Sequence, residues 1–369
     1  MGVWLGGGPP AMPGAYLYTA VLPMRVCFVV NSVRTQRPTY TTVHLAHAAH
    51  RRGHDVAFVS VDHLWHDGSH VWGALARPRG ERLKAGLAYV KELRVANKAR
   101  EAERLDDFDV VVLRNNPNVG SPGESAFNPA IEFGRRLKQC GVMVFNDPDG
   151  LVRAGSKMYL AGFPVEIRPR TLITRSADRV RTFLRELDGP AIIKPLHGFG
   201  GQDVFYLAKG ERVNLAQIIS TVRDRGYVIV QEYLPAIVRG DKRVLLLGGA
   251  PIVVDGHWAT YSRMRSKDDN RNNMHAGGAR RPSSLNEAER RICELLRPRL
   301  VADGLYLVGV DLVGDRILEI NVFAPGGINN INELYGIDVA EAVVKDLERK
   351  VEIRRTFREP FPPHVVMRA

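Results

Sequence analysis

Two β-rich runs, Gly309-Val310-Asp311-Leu312-Val313 and Ile317-Leu318-Glu319-Ile320-Asn321-Val322, flank the turn Gly314-Asp315. Apolar runs on both sides of such a turn read as a β-hairpin anchored in a core. Residues two apart in a strand point to the same face, so Glu319 and Asn321 project together. Asp311 joins them from the neighbouring strand. Three oxygen donors, two of them anionic, in an otherwise apolar hairpin describe a seat for Mg²⁺, which takes oxygen ligands and keeps room for substrate phosphates. The alternative is an edge hairpin with ordinary polar residues on its wet face, and the hairpin alone does not separate the two readings.

Upstream lies chemistry suited to phosphates. In Ile192-Ile193-Lys194-Pro195-Leu196-His197-Gly198-Phe199-Gly200-Gly201 a lysine ends a short strand and a glycine loop follows. Glycines reach positive φ and let backbone N–H groups approach an anion closely, while Lys194 adds a point charge. This is neither the Walker pattern nor the dinucleotide GxGxxG pattern, and a glycine cluster by itself is as often a plain turn. Lys157, in Ala154-Gly155-Ser156-Lys157-Met158, reads as a second phosphate lysine on a helix, or else as a solvated lysine. The strand Tyr227-Val228-Ile229-Val230-Gln231-Glu232-Tyr233-Leu234 breaks at Pro235, exposing backbone groups that an adenine edge can pair with. It leads into Gly240-Asp241-Lys242-Arg243-Val244, where Asp241 is placed to hold a ribose hydroxyl.

The first part of the chain has an α/β pattern. Strands are expected over 25–31, 55–60, 109–114 and 141–146, with helices over 41–52, closed by Gly53, and 131–139. That order predicts a small doubly wound sheet. Its C-terminal strand ends carry Asn31, Arg114 and Asn146, where such sheets bind ligands. Residues 68–104, basic and rich in alanine, read as a helical insertion. Residues 1–23, with Gly6-Gly7-Gly8-Pro9-Pro10, lack the basic start and apolar core of a signal peptide and read as a disordered extension.

Composition narrows the function classes. At 369 residues the chain is long enough for about two or three domains. Its 45% hydrophobic and 25% charged residues are those of an ordinary globular protein. No apolar run reaches membrane-spanning length. The net charge of +12, dominated by arginine, is spread along the chain without a basic block or aromatic–basic interleaving, which favours an anionic small substrate over nucleic acid. Three scattered cysteines, Cys27, Cys140 and Cys293, suit buried thiols in a reducing, cytoplasmic setting and form neither a disulfide framework nor a zinc spacing.

Taken in order, Lys157, Lys194-Pro195 with Gly198-Phe199-Gly200-Gly201, Gln231-Glu232-Tyr233-Leu234-Pro235, Gly240-Asp241-Lys242-Arg243-Val244, Arg271-Asn272-Asn273-Met274-His275-Ala276-Gly277-Gly278 and the Asp311…Glu319-Ile320-Asn321 hairpin resemble the ATP-grasp ligases, and most closely the bacterial glutathione synthetases. The resemblance runs from about residue 24 to about residue 348. It implies an N-terminal α/β (pre-ATP-grasp) substrate domain over 24–146, then a two-lobed ATP-grasp fold, lobe 1 over 147–230 and lobe 2 over 231–350. An irregular tail is expected from 351 to 369. Carried over by position, Lys157 and Lys194 match the lysines on ATP phosphates, and Gly198, Phe199, Gly200 and Gly201 match the lid over them. Gln231, Glu232, Tyr233 and Leu234 match the adenine hinge, although the family often has Asn where Glu232 stands. Asp241 matches the nucleotide-side acid. Asp311, Glu319 and Asn321 match the ligands of two Mg²⁺ ions, with Mn²⁺ as a substitute. Arg243, Arg263, Arg271 and Asn273 match groups lining the phosphate and acyl-phosphate centre.

The implied reaction is ATP-dependent joining of a carboxylate to an amine through an acyl phosphate, as in making glutathione from γ-glutamylcysteine and glycine. Its catalysis is mostly positioning and charge neutralisation, which agrees with a chain lacking Ser-His-Asp or Cys-His signatures. The implied partners are small molecules, with neither nucleic acid nor membrane, and the implied assembly is a homo-oligomer. The departures fall at the acceptor end. Where the family reads Thr-Ser-Pro-Thr, this chain reads Phe323-Ala324-Pro325-Gly326-Gly327, and the loop 262–272 is densely charged. Two alternatives therefore stay open: a ligase for a different carboxylate–amine pair, and a non-catalytic nucleotide or nucleic-acid binder.

Overall fold

The structure is a computed structural model of the chain and describes residues 22–79, 86–117, 128–196, 204–210, 215–223, 226–264 and 279–357. Gly198, Phe199, Gly200, Gly201, Arg271 and Asn273, most of the extension 1–23 and most of the charged loop 262–272 lie outside these residues.

Four parallel strands form the first sheet, in the order Asp55–Ser60, Arg25–Val30, Val110–Leu113, Met143–Phe145. Each is a nearly unbroken apolar run, as expected of parallel strands covered on both faces. Helix Thr41–Arg51 covers one side together with the chain's last helix, Val339–Phe357, and helix Pro129–Gln139 belongs to the other. The expected doubly wound unit is present. Residues 68–104, however, are not a helical insertion. Strands Leu64–His66, Val71–Leu75 and Glu101–Arg104 make a small antiparallel sheet, and among the described residues of this stretch only Leu87–Ala96 is helical. Alternate burial of Val71, Gly73 and Leu75 is a strand's period, not a helix's.

A second, antiparallel sheet runs in the order Phe205–Leu207, Ala191–Pro195, Val228–Glu232, Thr171–Thr174 and packs helices Ala177–Leu187 and Leu215–Arg223 against one face. Its core is small and separate, built on Val180, Ile193, Leu207 and Val230. The strand continues to Glu232, so this lobe extends two residues beyond the expected limit at 230.

The third sheet carries Arg280–Pro282, Thr260–Arg263, Asp241–Leu247, Leu307–Val313 and Arg316–Asn321 in that order, with Ala250–Pro251 pairing on Asp241–Leu247. Its helix Glu287–Ala302 starts at a reciprocal capping box between Asn286 and Glu289. The two α+β lobes face one another across a cleft, the architecture expected from the sequence. The chain's end differs: helix Val339–Phe357 runs through 351–357, which had been read as irregular. Its buried stripe Val343, Val344, Leu347 and Val351 returns to the first domain and joins Phe28 and Val43 in one core.

Candidate active site

The cleft between the two antiparallel sheets encloses a cavity of about 730 Å³, within the usual size range of small-molecule sites. All twelve described residues that the family resemblance carries over line it: Lys157, Lys194, Gln231, Glu232, Tyr233, Leu234, Asp241, Arg243, Arg263, Asp311, Glu319 and Asn321.

At one end the strand Val228–Glu232 leaves its sheet. The short 3₁₀ turn Pro235–Arg239 follows, because Pro235 has no N–H for a sheet partner. The Glu232 carboxylate accepts the Arg170 amide at 2.9 Å, so it stiffens the hinge instead of standing free. Ile173, Ile192, Ile229 and Leu318 supply apolar walls that the sequence reading did not assign to the site.

In the middle, Lys194 at the end of its strand donates to Gln231 Oε1 at 2.9 Å. Burial lowers its pKa to about 8, with Glu319 acting in the opposite sense and Lys157 in the same sense. Burial also lowers the pKa of Lys157, which Glu319 again opposes. Lys157 stands at the start of the 3₁₀ helix Lys157–Gly162, capped by Ser156, so the helix expected there is of the 3₁₀ kind. Two ammonium groups facing into a cleft, with one carboxylate between them electrostatically, suit polyanionic phosphate.

At the far end, the hairpin pairs as the period-two pattern requires. Asp311 lies opposite Glu319 and Gly309 opposite Asn321, with a bulge after Asp311. Asn321 Nδ2 donates to Asp311 Oδ2 at 3.3 Å. Arg243, which is Asp311's neighbour on the adjacent strand, grips its carboxylate through both Nε and Nη2. Arg263 bridges Asp311 at 2.9 Å and also pairs with Asp241. Burial by itself would raise the pKa of Asp311, but the two guanidinium groups hold it at about 2. Asp241 is the converse case, because burial outweighs Arg263 and raises its pKa. The structure thus sets Asp241 in the arginine–carboxylate network of the far end, beside Asp311.

Asp311, Glu319 and Asn321 form an oxygen-only donor set on one hairpin face, a chemistry that fits Mg²⁺. Two carboxylates and an amide are too few for an all-protein cage. Accordingly, no group of three or more His, Cys, Asp or Glu able to hold a metal occurs among the described residues. A site of this kind leaves positions for phosphate oxygens.

Of the strand-end residues noted in the first domain, none reaches into the cavity. Asn31 exchanges hydrogen bonds with the Asn116 backbone, at 2.8 and 2.6 Å. Asn146 donates to the carbonyls of Leu307 and Val322. Arg114 donates to Thr42 Oγ1 and the Pro325 carbonyl. The first domain's contribution to the wall is Asn116, missed in the sequence although it stands only three residues after the apolar run 110–113.

Residues 24–152 match the family described as prokaryotic glutathione synthetase, N-terminal domain, and residues 156–336 match prokaryotic glutathione synthetase, ATP-grasp domain. The chain belongs to the prokaryotic glutathione synthetase family. A glutathione synthetase of Gloeobacter violaceus is 36% identical over 328 residues, covering 87% of this chain and 95% of its own length. One from Synechocystis sp. is 33% identical over 334 residues, covering 89% and 100%. Among solved structures, the D-cycloserine synthetase DcsG superposes with a TM-score of 0.58 at 16% identity, covering 88% of this chain and 99% of its own. The ATP-grasp ligase PsnB, complexed with a minimal precursor, gives 0.56 at 16%, covering 89% and 99%. At that identity these two establish the fold alone. Membership of the glutathione synthetase family makes the protein an ATP-dependent ligase with an ATP-grasp fold. No helix among the described residues is long and apolar enough to cross a membrane.

Proposed function

We propose that the protein joins γ-glutamylcysteine to glycine with cleavage of ATP to ADP and phosphate. The observation that carries this reading is the convergence, in one cavity, of Lys157 and Lys194 with the Asp311–Glu319–Asn321 face of the hairpin. In this reading the hinge Glu232–Leu234 receives the adenine through its backbone. Lys157 and Lys194 bind phosphate oxygens, which raises their depressed pKa values and keeps both charged. Asp311, Glu319 and Asn321 hold two Mg²⁺ ions, which when bound neutralise the phosphates and the incoming carboxylate. Arg243 and Arg263 are further positive charges at that end among the described residues. Released in part from Asp311, they pair with the substrate carboxylate and then with the acyl phosphate. No side-chain nucleophile is required, because the substrate carboxylate and then the amine attack in turn. Orientation and a preorganised positive field carry the rate. The setting proposed is the cytoplasm, and the assembly a homo-oligomer.

The test is Mg²⁺-dependent phosphate release from ATP with γ-glutamylcysteine and glycine, each omitted in turn. Release only when both are present supports the reading. Release with another carboxylate–amine pair and none with this one overturns it. That second reading is motivated by Phe323 and Ala324, which add apolar surface to the cavity where the family has hydroxyl side chains.

A further inference from the structure

The hairpin that carries Asp311, Glu319 and Asn321 is closed by its turn at one end only. At the other end its strands are joined by a side chain of the first domain. Asn146 donates through Nδ2 to the Leu307 carbonyl at 3.0 Å and to the Val322 carbonyl at 2.7 Å, and its Oδ1 accepts the Leu307 amide at 2.9 Å. A group that both gives a bond to one residue and takes one back reproduces a hydrogen-bonded pair of an antiparallel ladder. The carboxamide thus stands in for a strand residue beside Leu307, where the first hairpin strand begins. It ties that residue to Val322, just past the end of the second strand. Asn146, Leu307 and Val322 are all buried, so water does not compete for these bonds.

Val322 directly follows Asn321, and the ladder between the two strands ends at the pair Gly309 and Asn321. That pair sets Asn321 beside Asp311, which Asn321 Nδ2 reaches at 3.3 Å. Asn146 holds the hairpin shut immediately beyond it. The same stretch of chain also places Lys157. The Asp147 amide donates to the Gly304 carbonyl at 3.0 Å, and the Asp147 carboxylate caps helix Pro148–Ala154, which leads to Lys157. In a doubly wound sheet the C-terminal end of a strand is where ligands bind. Here the end of strand Met143–Phe145 is taken by the backbone of the second lobe.

We propose that Asn146 is a positioning residue for the metal face: its carboxamide fixes the spacing of the hairpin strands at their open end, and with it the place of Asn321 relative to Asp311 and Glu319. This inference rests on the reading of that face as the seat of Mg²⁺. Mg²⁺ demands near-ideal octahedral geometry, so strands free to spread at this end weaken the ions before they weaken the rest of the site. Loss of an outer partner of a metal ligand lowers metal affinity or activity about 10–100-fold.

The experiment compares the unaltered protein with Asn146→Ala, Asn146→Asp and a control for lost stability, Val56→Ala. Asn146→Asp keeps the shape and the acceptor for the Leu307 amide, but in its ionised form it has no donor for the two carbonyls. Val56 is buried in the same domain's core, on the edge strand farthest from Asn146. Two measurements are made. Binding of Mn²⁺ is followed by its EPR signal in the presence of AMPPNP already carrying one Mn²⁺, which requires no turnover. Phosphate release with γ-glutamylcysteine and glycine is followed against Mg²⁺ at saturating ATP. Both give apparent constants that do not depend on the fraction of molecules folded. The expected result is that both Asn146 variants weaken Mn²⁺ binding and raise the half-saturating Mg²⁺ by at least about 10-fold. KM for ATP at saturating Mg²⁺ should stay within about threefold, and Val56→Ala should shift neither metal constant. Metal constants within about threefold of the unaltered protein in both Asn146 variants, or an equal shift in Val56→Ala, overturn the positioning role and leave the functional reading in place. No Mn²⁺ bound by the unaltered protein beyond that held by AMPPNP alone overturns the reading of the metal face itself, and this inference with it.

Discussion

Single residues in the cleft are held in states that cost stability and serve chemistry. Lys194 has a folded-state pKa of about 8 against an ordinary 10.5. Folding therefore works against its charged form, and the penalty is complete below pH 8 and disappears as pH rises toward 10.5. Lys194→Met should accordingly raise the melting temperature of the protein without ATP at pH 7, while turnover is lost. A melting scan and a phosphate assay on one sample check both halves. In the unaltered enzyme, KM for ATP should rise above about pH 8 as Lys194 loses its proton, and Lys194→Arg should flatten that rise. Asp311 behaves in the opposite way. Its carboxylate is buried between Arg243 and Arg263, and removing one partner of a buried ion pair costs about 3–5 kcal/mol. Asp311→Ala should show that loss in urea unfolding, and Mg²⁺-dependent phosphate release should fall below detection.

At the scale of elements, the most exacting position is Gly240, which immediately precedes the strand bearing Asp241 and Arg243. Its φ is +93°, and a Cβ there would collide with the Arg263 carbonyl. Gly240→Ala forces the strands Asp241–Leu247 and Thr260–Arg263 apart where Asp241 pairs with Arg263. It should cost at least about 2 kcal/mol and, on the proposed reading, lower kcat more than it alters KM for ATP, whose adenine that reading places at the hinge Glu232–Leu234. Sequence made the hairpin and the first parallel sheet legible, because both rest on periodicity: alternation for Asp311, Glu319 and Asn321, and unbroken apolar runs for 25–30 and 110–113. It misled where local composition and tertiary pairing disagree. Glu101-Ala102-Glu103-Arg104 has a helix former's composition, yet it is a strand because Trp72 to Leu75 pairs with it. The prolines near the C-terminus suggested an irregular tail, but Arg355 reaches back to Asp109 and the Pro23 carbonyl and keeps the helix docked to Phe357. The candidate ligands were legible as residue types. Their ion partners were not, because Arg243 and Asp311 lie 68 residues apart and only the sheet register joins them.

For the molecule as a whole, the decisive fact is that the chain closes on itself. Helix Val339–Phe357 begins within the second lobe's span in sequence but packs on helix Thr41–Arg51 of the first domain. A polar lock sits at their junction. Glu348 takes Arg52 Nε at 2.6 Å and Nη2 at 2.7 Å, and meets His54 Nε2 at 2.7 Å. The Met24 amide donates to His54 Nδ1 at 3.3 Å, so Nδ1 accepts and Nε2 carries the proton toward Glu348. Burial lowers the pKa of His54 despite Glu348, and burial would raise that of Glu348 but the Arg52 and His54 hydrogen bonds hold it down. Both groups then resist protonation in the folded state, so each contributes stability at neutral pH that is lost on acidification. The histidine part is complete above its ordinary 6.5 and begins to fade below it, and the glutamate part fades below 4.5. The melting temperature should therefore fall between pH 7 and pH 5, a window that His54 shares with His63, whose pKa burial also lowers. His54→Gln, which keeps a donor toward Glu348 but does not titrate, should reduce that slope while lowering stability at pH 7. An equal slope in the variant would place the acid sensitivity elsewhere. Because the lock joins the last helix to the first domain, its loss should appear as earlier unfolding of the whole cooperative unit that shares that core. The small separate core around Ile193 and Val230 should melt independently of pH over the same range.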